Sequence, residues 1–172
     1  KTILNTFCYT GGFSVYALKA GASLVHSVDS SARAIEMTNK NVELNNFSGE
    51  RHQSYKSDVM DFIKSSTEKY DVIILDPPAY AKHVKTRHTA MQGYRRLNEA
   101  ALLKINSGGF LFTFSCSQVV DSSLFRSTVI AAAIQSRRKV RIVGTLTQPA
   151  DHPVSAFHPE GEYLKGLVLF VE

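Results

Sequence analysis

Two hydrophobic rhythms alternate along this chain, and their order constrains its fold more than any other feature. Ile3-Leu4-Asn5-Thr6-Phe7 reads as a strand, Gly11-Gly12 turns the chain, and residues 13–20 carry an apolar face at helical spacing that Gly21 stops. Residues 24–28 form a second strand ending in Asp29, after which Ser30 or Ser31 can cap a helix running through Ala34, Ile35, Thr38 and Val42 to Asn45. A short strand at 52–56, a helix at 59–64 and the β-branched strand Val72-Ile73-Ile74-Leu75 repeat the unit. Asp76-Pro77-Pro78 must end that strand, because proline cannot donate to a central ladder. Beyond a polar stretch, the spacing predicts a helix over 97–105, a Ser107-Gly108-Gly109 turn, a fifth strand over 110–114 and a helix over 124–134. Residues 140–146 and 164–171 read as two further strands with no helix between them, a terminal antiparallel hairpin.

Five β-α units followed by a hairpin imply a seven-stranded, mostly parallel α/β sheet with helices on both faces, since right-handed crossovers leave few alternatives to a doubly wound fold. Ligands in such folds lie beyond the carboxyl ends of the strands. Here those ends are residues 7–12, Asp29, Asp58, residues 76–80 and residues 115–117. With 172 residues, 44% of them hydrophobic, and no internal repeat or linker, the chain reads as one domain spanning 1–172. No apolar run approaches the roughly 20 residues that cross a bilayer, and the N-terminus lacks a signal-peptide pattern, so a soluble, cytoplasmic protein without a membrane partner is expected. Cys8 and Cys116 stand far apart, with no metal-ligand spacing around them, so neither a disulfide nor a bound metal is expected. Twenty Lys and Arg against fifteen Asp and Glu favour a polyanionic partner, because each phosphate neutralised releases counterions.

The strand ends carry the candidate chemistry. Thr10-Gly11-Gly12 lets backbone approach a ligand, and Asp29, 18 residues beyond Gly11, can accept both hydroxyls of a ribose. The turn lacks a full G-x-G-x-x-G, which argues against a nicotinamide dinucleotide. Asp58 can take a hydrogen bond from an adenine amino group, or simply cap the helix that follows. In Asp76-Pro77-Pro78-Ala79-Tyr80 the prolines leave carbonyls free to accept from an exocyclic amine, and Tyr80 can stack on an extruded base or serve as a core tyrosine. Cys116, ending the fifth strand, is placed for its thiolate to add to carbon 6 of a pyrimidine and make carbon 5 nucleophilic. The plainer reading is a small buried hydrophobe, which is the reading for Cys8. If Cys116 lies near the following helix, that helix's N-terminus favours the thiolate, although Asp121 and Ser122 are the better caps and would hold it farther away. Lys82, Lys85, Arg87 and Arg95 fall just after the Pro-Pro turn, where a mobile cationic loop at the cleft mouth would suit phosphate contacts. A second run, Arg137-Arg138-Lys139 with Arg141, reads as a solvated surface.

Taken in order, Asn5-Thr6-Phe7-Cys8-Tyr9-Thr10-Gly11-Gly12-Phe13-Ser14-Val15, Val28-Asp29-Ser30-Ser31, Asn41-Val42-Glu43-Leu44-Asn45, Leu75-Asp76-Pro77-Pro78-Ala79-Tyr80, Thr113-Phe114-Ser115-Cys116-Ser117, Asp151-His152-Pro153 and Pro159-Glu160-Gly161-Glu162-Tyr163-Leu164-Lys165-Gly166 resemble bacterial 23S ribosomal RNA cytosine-C5 methyltransferases of the single-chain large-subunit type. The resemblance spans essentially the whole chain and implies a Rossmann-like class I methyltransferase fold. It implies S-adenosyl-L-methionine as cofactor, with Phe7, Tyr9, Thr10, Gly11, Gly12, Phe13, Asp29, Ser30, Asp58, Val59, Asp76 and Pro77 as its contacts. It further implies Cys116 as nucleophile, Asp76 with the Pro77-Pro78 turn orienting the cytosine, and large-subunit ribosomal RNA as partner, met by Pro78, Tyr80, Lys82, Lys85, Arg87 and Arg95.

The family's other cytosine-C5 branch carries a further cysteine in its fourth motif. Pro-Pro stands there in this chain, so no residue is assigned as the base that removes the carbon-5 proton. Of the closing segment from Asp151 to Lys165, His152, His158 and Lys165 read as loop and hairpin anchors. Longer relatives of this type carry an N-terminal RNA-binding domain, and a sequence beginning at its first strand is expected to be the catalytic domain of such a protein, with homodimerisation left open. Two other readings stay open: a base-amino methyltransferase acting on adenine N6 or guanine N2, which needs no cysteine, and a non-catalytic RNA-binding module that keeps the fold.

Overall fold

A computed structural model describes residues 1–47 and 49–172, with Pro159 described in its backbone only. The elements run β1 (Thr2–Thr6), α1 (Gly12–Lys19), β2 (Leu24–Asp29), α2 (Ala32–Leu44), β3 (His52–Lys56), α3 (Val59–Ser65), β4 (Tyr70–Leu75), α4 (Arg87–Lys104), β5 (Ile105–Ser115), α5 (Ser122–Ser136), β6 (Val140–Leu146) and β7 (Lys165–Val171). The strands build one sheet in the order β3-β2-β1-β4-β5-β7-β6. β1 to β5 pair with one another in parallel, and β7 slots antiparallel between β5 and β6. The chain order reverses between β1 and β4, the switch point at which the crossovers leave a crevice for ligands.

Burial explains why these segments are strands. Leu4, Ile73, Leu75, Leu111 and Leu169 are fully buried, and they join Tyr94, Leu97, Leu102, Phe125 and Val129 of α4 and α5 in the main core. A smaller cluster, Leu18, Ala22, Val25 and Val42, seats α1 and α2. β6 alternates half-buried and exposed residues along its length, the pattern of an edge strand with one face covered.

Helix ends follow the caps foreseen. Ser31 Oγ accepts from Ala34 N, Asp58 Oδ1 from Asp61 N at 3.0 Å, and Asp121 Oδ1 from Leu124 N at 2.8 Å. Because Asp121 occupies the start of α5, that helix begins six residues after Cys116.

Two segments differ from expectation. The helix placed at 97–105 begins at Arg87, ten residues earlier, and Val84–Thr86 forms a 3-10 turn ahead of it. Ala90, Tyr94, Leu97, Asn98, Ala101 and Leu102 make one buried stripe at i, i+4, i+7 spacing, hidden in the sequence because small and polar residues fill half of it. Part of the foreseen mobile cationic loop is therefore helix, with Arg87 and Arg95 on α4 and Lys82 and Lys85 ahead of it. The Ser107-Gly108-Gly109 turn is absorbed into β5, where Gly108 takes φ +82° and the register against β4 shifts between Tyr70 and Val72.

Candidate active site

The loop after β1 is bent by backbone that ordinary residues avoid. Phe7 and Tyr9 have φ of 52° and 48°, and Gly11 has φ 78°. Left-handed conformations at two non-glycine residues cost about 1–3 kcal/mol each and persist only where the surroundings over-determine them. Those surroundings are visible. Cys8 N donates to Val28 O, Gly11 N to Cys8 O, and Tyr9 N to Asp29 Oδ2 at 3.1 Å. Thr38 and Asn41 of α2 donate side-chain hydrogen bonds to the Tyr9 and Thr10 carbonyls.

Asp29 thus builds the loop as well as facing its mouth. Its second oxygen accepts from Ser31 N at 2.9 Å, so each oxygen has one protein partner and a lone pair to spare. Ser30 is exposed beside it.

Phe7, Tyr9, Thr10, Gly12, Phe13, Tyr16 and Asp76 line a pocket of about 280 Å³. Tyr9 and Tyr16 are largely exposed, which leaves aromatic faces free at its rim. A side chain at Gly12 would meet nothing within 4 Å, so the space beside that glycine is open for a ligand. Asp58 is exposed with one oxygen committed to its cap, and Val59 buries its side chain in the core, leaving only backbone to meet a ligand there.

Asp76 follows β4 directly. Its side chain opens to the pocket, yet the protein around it raises the carboxyl above the usual carboxylate range by desolvation. Pro77 is buried, Pro78 exposed. The Pro77 carbonyl, foreseen as an acceptor for a base, receives the Cys116 thiol at 3.7 Å. Ser117 ties the same turn down: its hydroxyl accepts from Ala81 N at 3.3 Å and lies 3.1 Å from the Tyr94 hydroxyl. The Asp-Pro-Pro turn and the end of β5 are thereby one unit. Phe13 stacks on Phe114, with centroids 6.4 Å apart, joining the glycine loop to the same strand end.

Cys116 is half-buried and lines a pocket of about 340 Å³ with Ala79, Ala81, Lys82, Gln118 and Tyr163. Burial raises its thiol above the ordinary cysteine range, the Asp76 charge raises it further, and a backbone hydrogen bond and Lys165 pull it down. Cys8 behaves as the sequence suggests. It is buried, its sulfur 3.4 Å from Thr38 Oγ1, and burial raises its thiol.

Other foreseen residues do not converge on this pocket. Tyr80 stacks on Tyr94 at 4.6 Å, and burial pushes its hydroxyl up to about 12. Its ring lines a separate cleft of about 440 Å³ with Met60, Lys64 and Arg96. Arg95 lies in a third cleft beside α5. Lys85, in the 3-10 turn, and Arg87, at the start of α4, are exposed, while Lys82 lies in the Cys116 pocket.

The sequence reads Lys165 as an anchor, but the structure makes it more. It is 8% exposed, and its ammonium donates to the Ser117 and Tyr163 carbonyls at 2.7 Å each. The signal in the sequence is one charge heading the otherwise apolar strand Gly166-Leu167-Val168-Leu169-Phe170-Val171. Gln148 and Gln118 hold the closing segment in place. Gln148 Oε1 accepts from Tyr163 N and Leu164 N, and Gln118 Nε2 donates to the Glu160 carbonyl. His152 and His158 are exposed in that loop.

Strand order, switch-point crevice and glycine loop define the class: a Rossmann-like, class I S-adenosylmethionine-dependent methyltransferase domain. SMU.776, described as a methyltransferase and solved in complex with SAH, superposes with a TM-score of 0.84 at 26% identity, over 98% of this chain and 44% of its own. More particularly, the chain belongs to the family described as Conserved hypothetical protein 95, which matches residues 1–110. It is 42% identical over 172 residues to Ribosomal RNA large subunit methyltransferase I of Aeromonas hydrophila, and 40% identical over 171 residues to that of Shewanella denitrificans. Each alignment covers 98% of this chain and 43% of the relative, so the chain spans less than half the length of the curated relatives it matches. Among the described residues, no helix is long and apolar enough to cross a membrane.

Proposed function

We propose that this domain methylates carbon 5 of a cytosine in large-subunit ribosomal RNA through a covalent adduct on Cys116, with S-adenosylmethionine as the donor. The observation that carries the reading is the contact of the Cys116 sulfur with the Pro77 carbonyl, one residue from the Asp76 side chain that lines the glycine-loop pocket. Two adjoining pockets thus share one turn. Similarity to relatives named for large-subunit ribosomal RNA supports the substrate, and the excess of Lys and Arg suits a polyanion.

The residues around the first pocket fit the cofactor. Asp29 keeps a free lone pair on each oxygen for ribose hydroxyls, the aromatic rim covers apolar surface, and the open space at Gly12 admits a ligand against backbone. When bound there, S-adenosylmethionine supplies an electrophilic methyl on a sulfonium.

In the second pocket the Cys116 thiolate adds to carbon 6 of the cytosine, forming the carbon–sulfur bond and opening the 5,6 double bond. The raised Asp76 carboxyl holds a proton more readily than an ordinary carboxylate, which suits it to stabilise the ring nitrogen that gains negative charge. Carbon 5 then takes the methyl group. Loss of the carbon-5 proton to a base restores the double bond, breaks the carbon–sulfur bond and returns Cys116 as thiolate. Lys82, exposed in the lining of the same pocket, suits contact with a backbone phosphate.

Cys116→Ala tests this. Methylation of ribosomal RNA should fall at least ~10³-fold, about 4 kcal/mol of transition-state stabilisation, while cofactor affinity is kept. Near-normal turnover would transfer the assignment to an exocyclic amino group of adenine or guanine, and undetectable cofactor binding by calorimetry would leave an RNA-binding module.

A further inference from the structure

Resting on the reading of Cys116 as nucleophile, we propose that Lys165 is a positioning residue for it: its buried ammonium holds the backbone just past Cys116 and supplies the nearby positive charge that favours the thiolate. β7 begins at Lys165, which pairs across the antiparallel ladder with Ser115 at the end of β5. The side chain therefore starts beside the residue preceding Cys116 and reaches the carbonyl of the residue following it. The same nitrogen donates to the Tyr163 carbonyl, and Tyr163 lines the Cys116 pocket.

A lysine confined to 8% exposure is costly unless its charge is compensated. Compensation here comes from two neutral carbonyls, and no carboxylate lies within 4.0 Å of it among the described residues. An anchor alone would be served by an uncharged donor. An ammonium is explained by an anion that forms beside it, and the thiolate of Cys116 is that anion. The charges facing Cys116 oppose one another. Asp76, after β4, raises the thiol, and Lys165, from β7, lowers it. Lys82 and Tyr163 border the same pocket, and Asp121, ahead of α5, acts on Lys165. Burial pushes the Lys165 ammonium below the usual lysine range, whereas Cys116 and Asp121 push it up, so the negative groups around it favour its charged form.

The test reads the thiol directly. Iodoacetamide alkylation of Cys116 is followed against pH, resolved by peptide mass spectrometry, in the wild type, Lys165→Met, Lys165→Arg and Asp76→Asn. Removing the cation should raise the midpoint by about one pH unit, and alkylation at pH 7.5 should slow about tenfold, since the rate follows the thiolate fraction. Lys165→Arg should restore much of the shift. Asp76→Asn should move the midpoint the other way. Buried Cys8 reports folding in the same digest: if Lys165→Met exposes it to reagent, Lys165→Gln, which keeps a hydrogen-bond donor without the charge, is read instead.

An unmoved midpoint in the variant that keeps Cys8 protected would overturn the role of Lys165. If Cys116→Ala is inactive while the midpoint stays put, the covalent mechanism stands and the lysine's part in it falls. If the midpoint moves but Cys116→Ala turns over normally, the lysine tunes a thiol the reaction does not use, and the proposed mechanism falls instead.

Discussion

Replacing Gly11 with alanine asks one backbone position to bear two independent costs. Its φ of 78° lies in the left-handed region, which costs an L-residue roughly 1–2 kcal/mol. An added Cβ would also stand 2.7 Å from Thr38 Cγ2, 3.0 Å from Thr38 Oγ1 and 3.1 Å from Thr38 Cα. Overpacking of that kind costs typically about 1–3 kcal/mol. The sum is about 3 kcal/mol, which for a domain of this size lowers the melting temperature by roughly 6–12 °C.

Thr38→Ser separates the two contributions, because it deletes the nearest atom and keeps the hydroxyl that donates to the Tyr9 carbonyl. In the Gly11→Ala background it should recover about 1 kcal/mol, measured as a coupling energy in a double-mutant cycle by urea denaturation. The rest stays lost, since serine relieves neither the backbone dihedral at position 11 nor the crowding against the main chain of residue 38. Melting of Gly11→Ala within 1 °C of wild type would refute the loop geometry, and an absence of coupling would refute Thr38 as the obstacle.

Asp58→Ala should cost about 1 kcal/mol through loss of the bond to Asp61 N, whereas Asp58→Asn keeps the acceptor and should melt with the wild type; equal melting of the alanine variant would remove the cap from the account. His26 and His52 are both held below the usual histidine range, chiefly by burial. Their folded pKa lies under the unfolded value near 6.5, so the stability they allow is full above that pH and is lost as pH falls through the folded values. Each should lower stability by up to about 1.4 kcal/mol per pH unit within that window, with Asp76, raised when folded, opposing them by gaining a proton in the acid range. Urea midpoints should therefore fall between pH 7 and pH 5, ring-proton NMR should place both histidines below 6.5, and ordinary histidine titrations would sink the idea.

The rhythm of the chain was enough to read its strands: residues 52–56 and 140–146 are strands to the residue, bounded by turn signals although β3 is polar and β6 is an antiparallel edge strand, and the apolar core strand β4 extends only two residues earlier, to Tyr70. The position of the glycine loop, Asp29, Asp76 and Cys116 at the carboxyl ends of strands was legible, since a doubly wound sheet leaves few places for a ligand. What stayed hidden depends on direction. Tyr80 follows the Pro-Pro turn in either reading, and only the packing of α4, where a Cβ added at Gly93 would stand 3.0 Å from the Tyr80 ring, turns it toward Tyr94. Arg95 and Arg96 are adjacent in sequence but open into different clefts, because successive helical residues point about 100° apart. Lys165 could not be placed until β7 was known to pair with β5, a strand some fifty residues distant along the chain.

Several departures from local rules meet at the carboxyl ends of the parallel strands. Two non-glycine residues hold left-handed backbone after β1, a carboxyl is raised after β4, and a thiol and an ammonium are desolvated where β5 meets β7. Elsewhere the left-handed residues Asn46 and Arg137 only end the helices α2 and α5, and His26 and His52 are desolvated without meeting a pocket-lining group. The helices α2, α3 and α5 start on side-chain caps, and the core is built largely of leucine, isoleucine, valine and aromatic residues. A protein that kept this fold only to bind RNA would gain nothing from a buried lysine beside a half-buried thiol, since phosphate recognition needs exposed cations and the thiol is uncharged at rest. Local strain and unpaired charge persist where function offsets their cost. Their meeting at the carboxyl ends of β1, β4 and β5 suits the covalent chemistry proposed for this site.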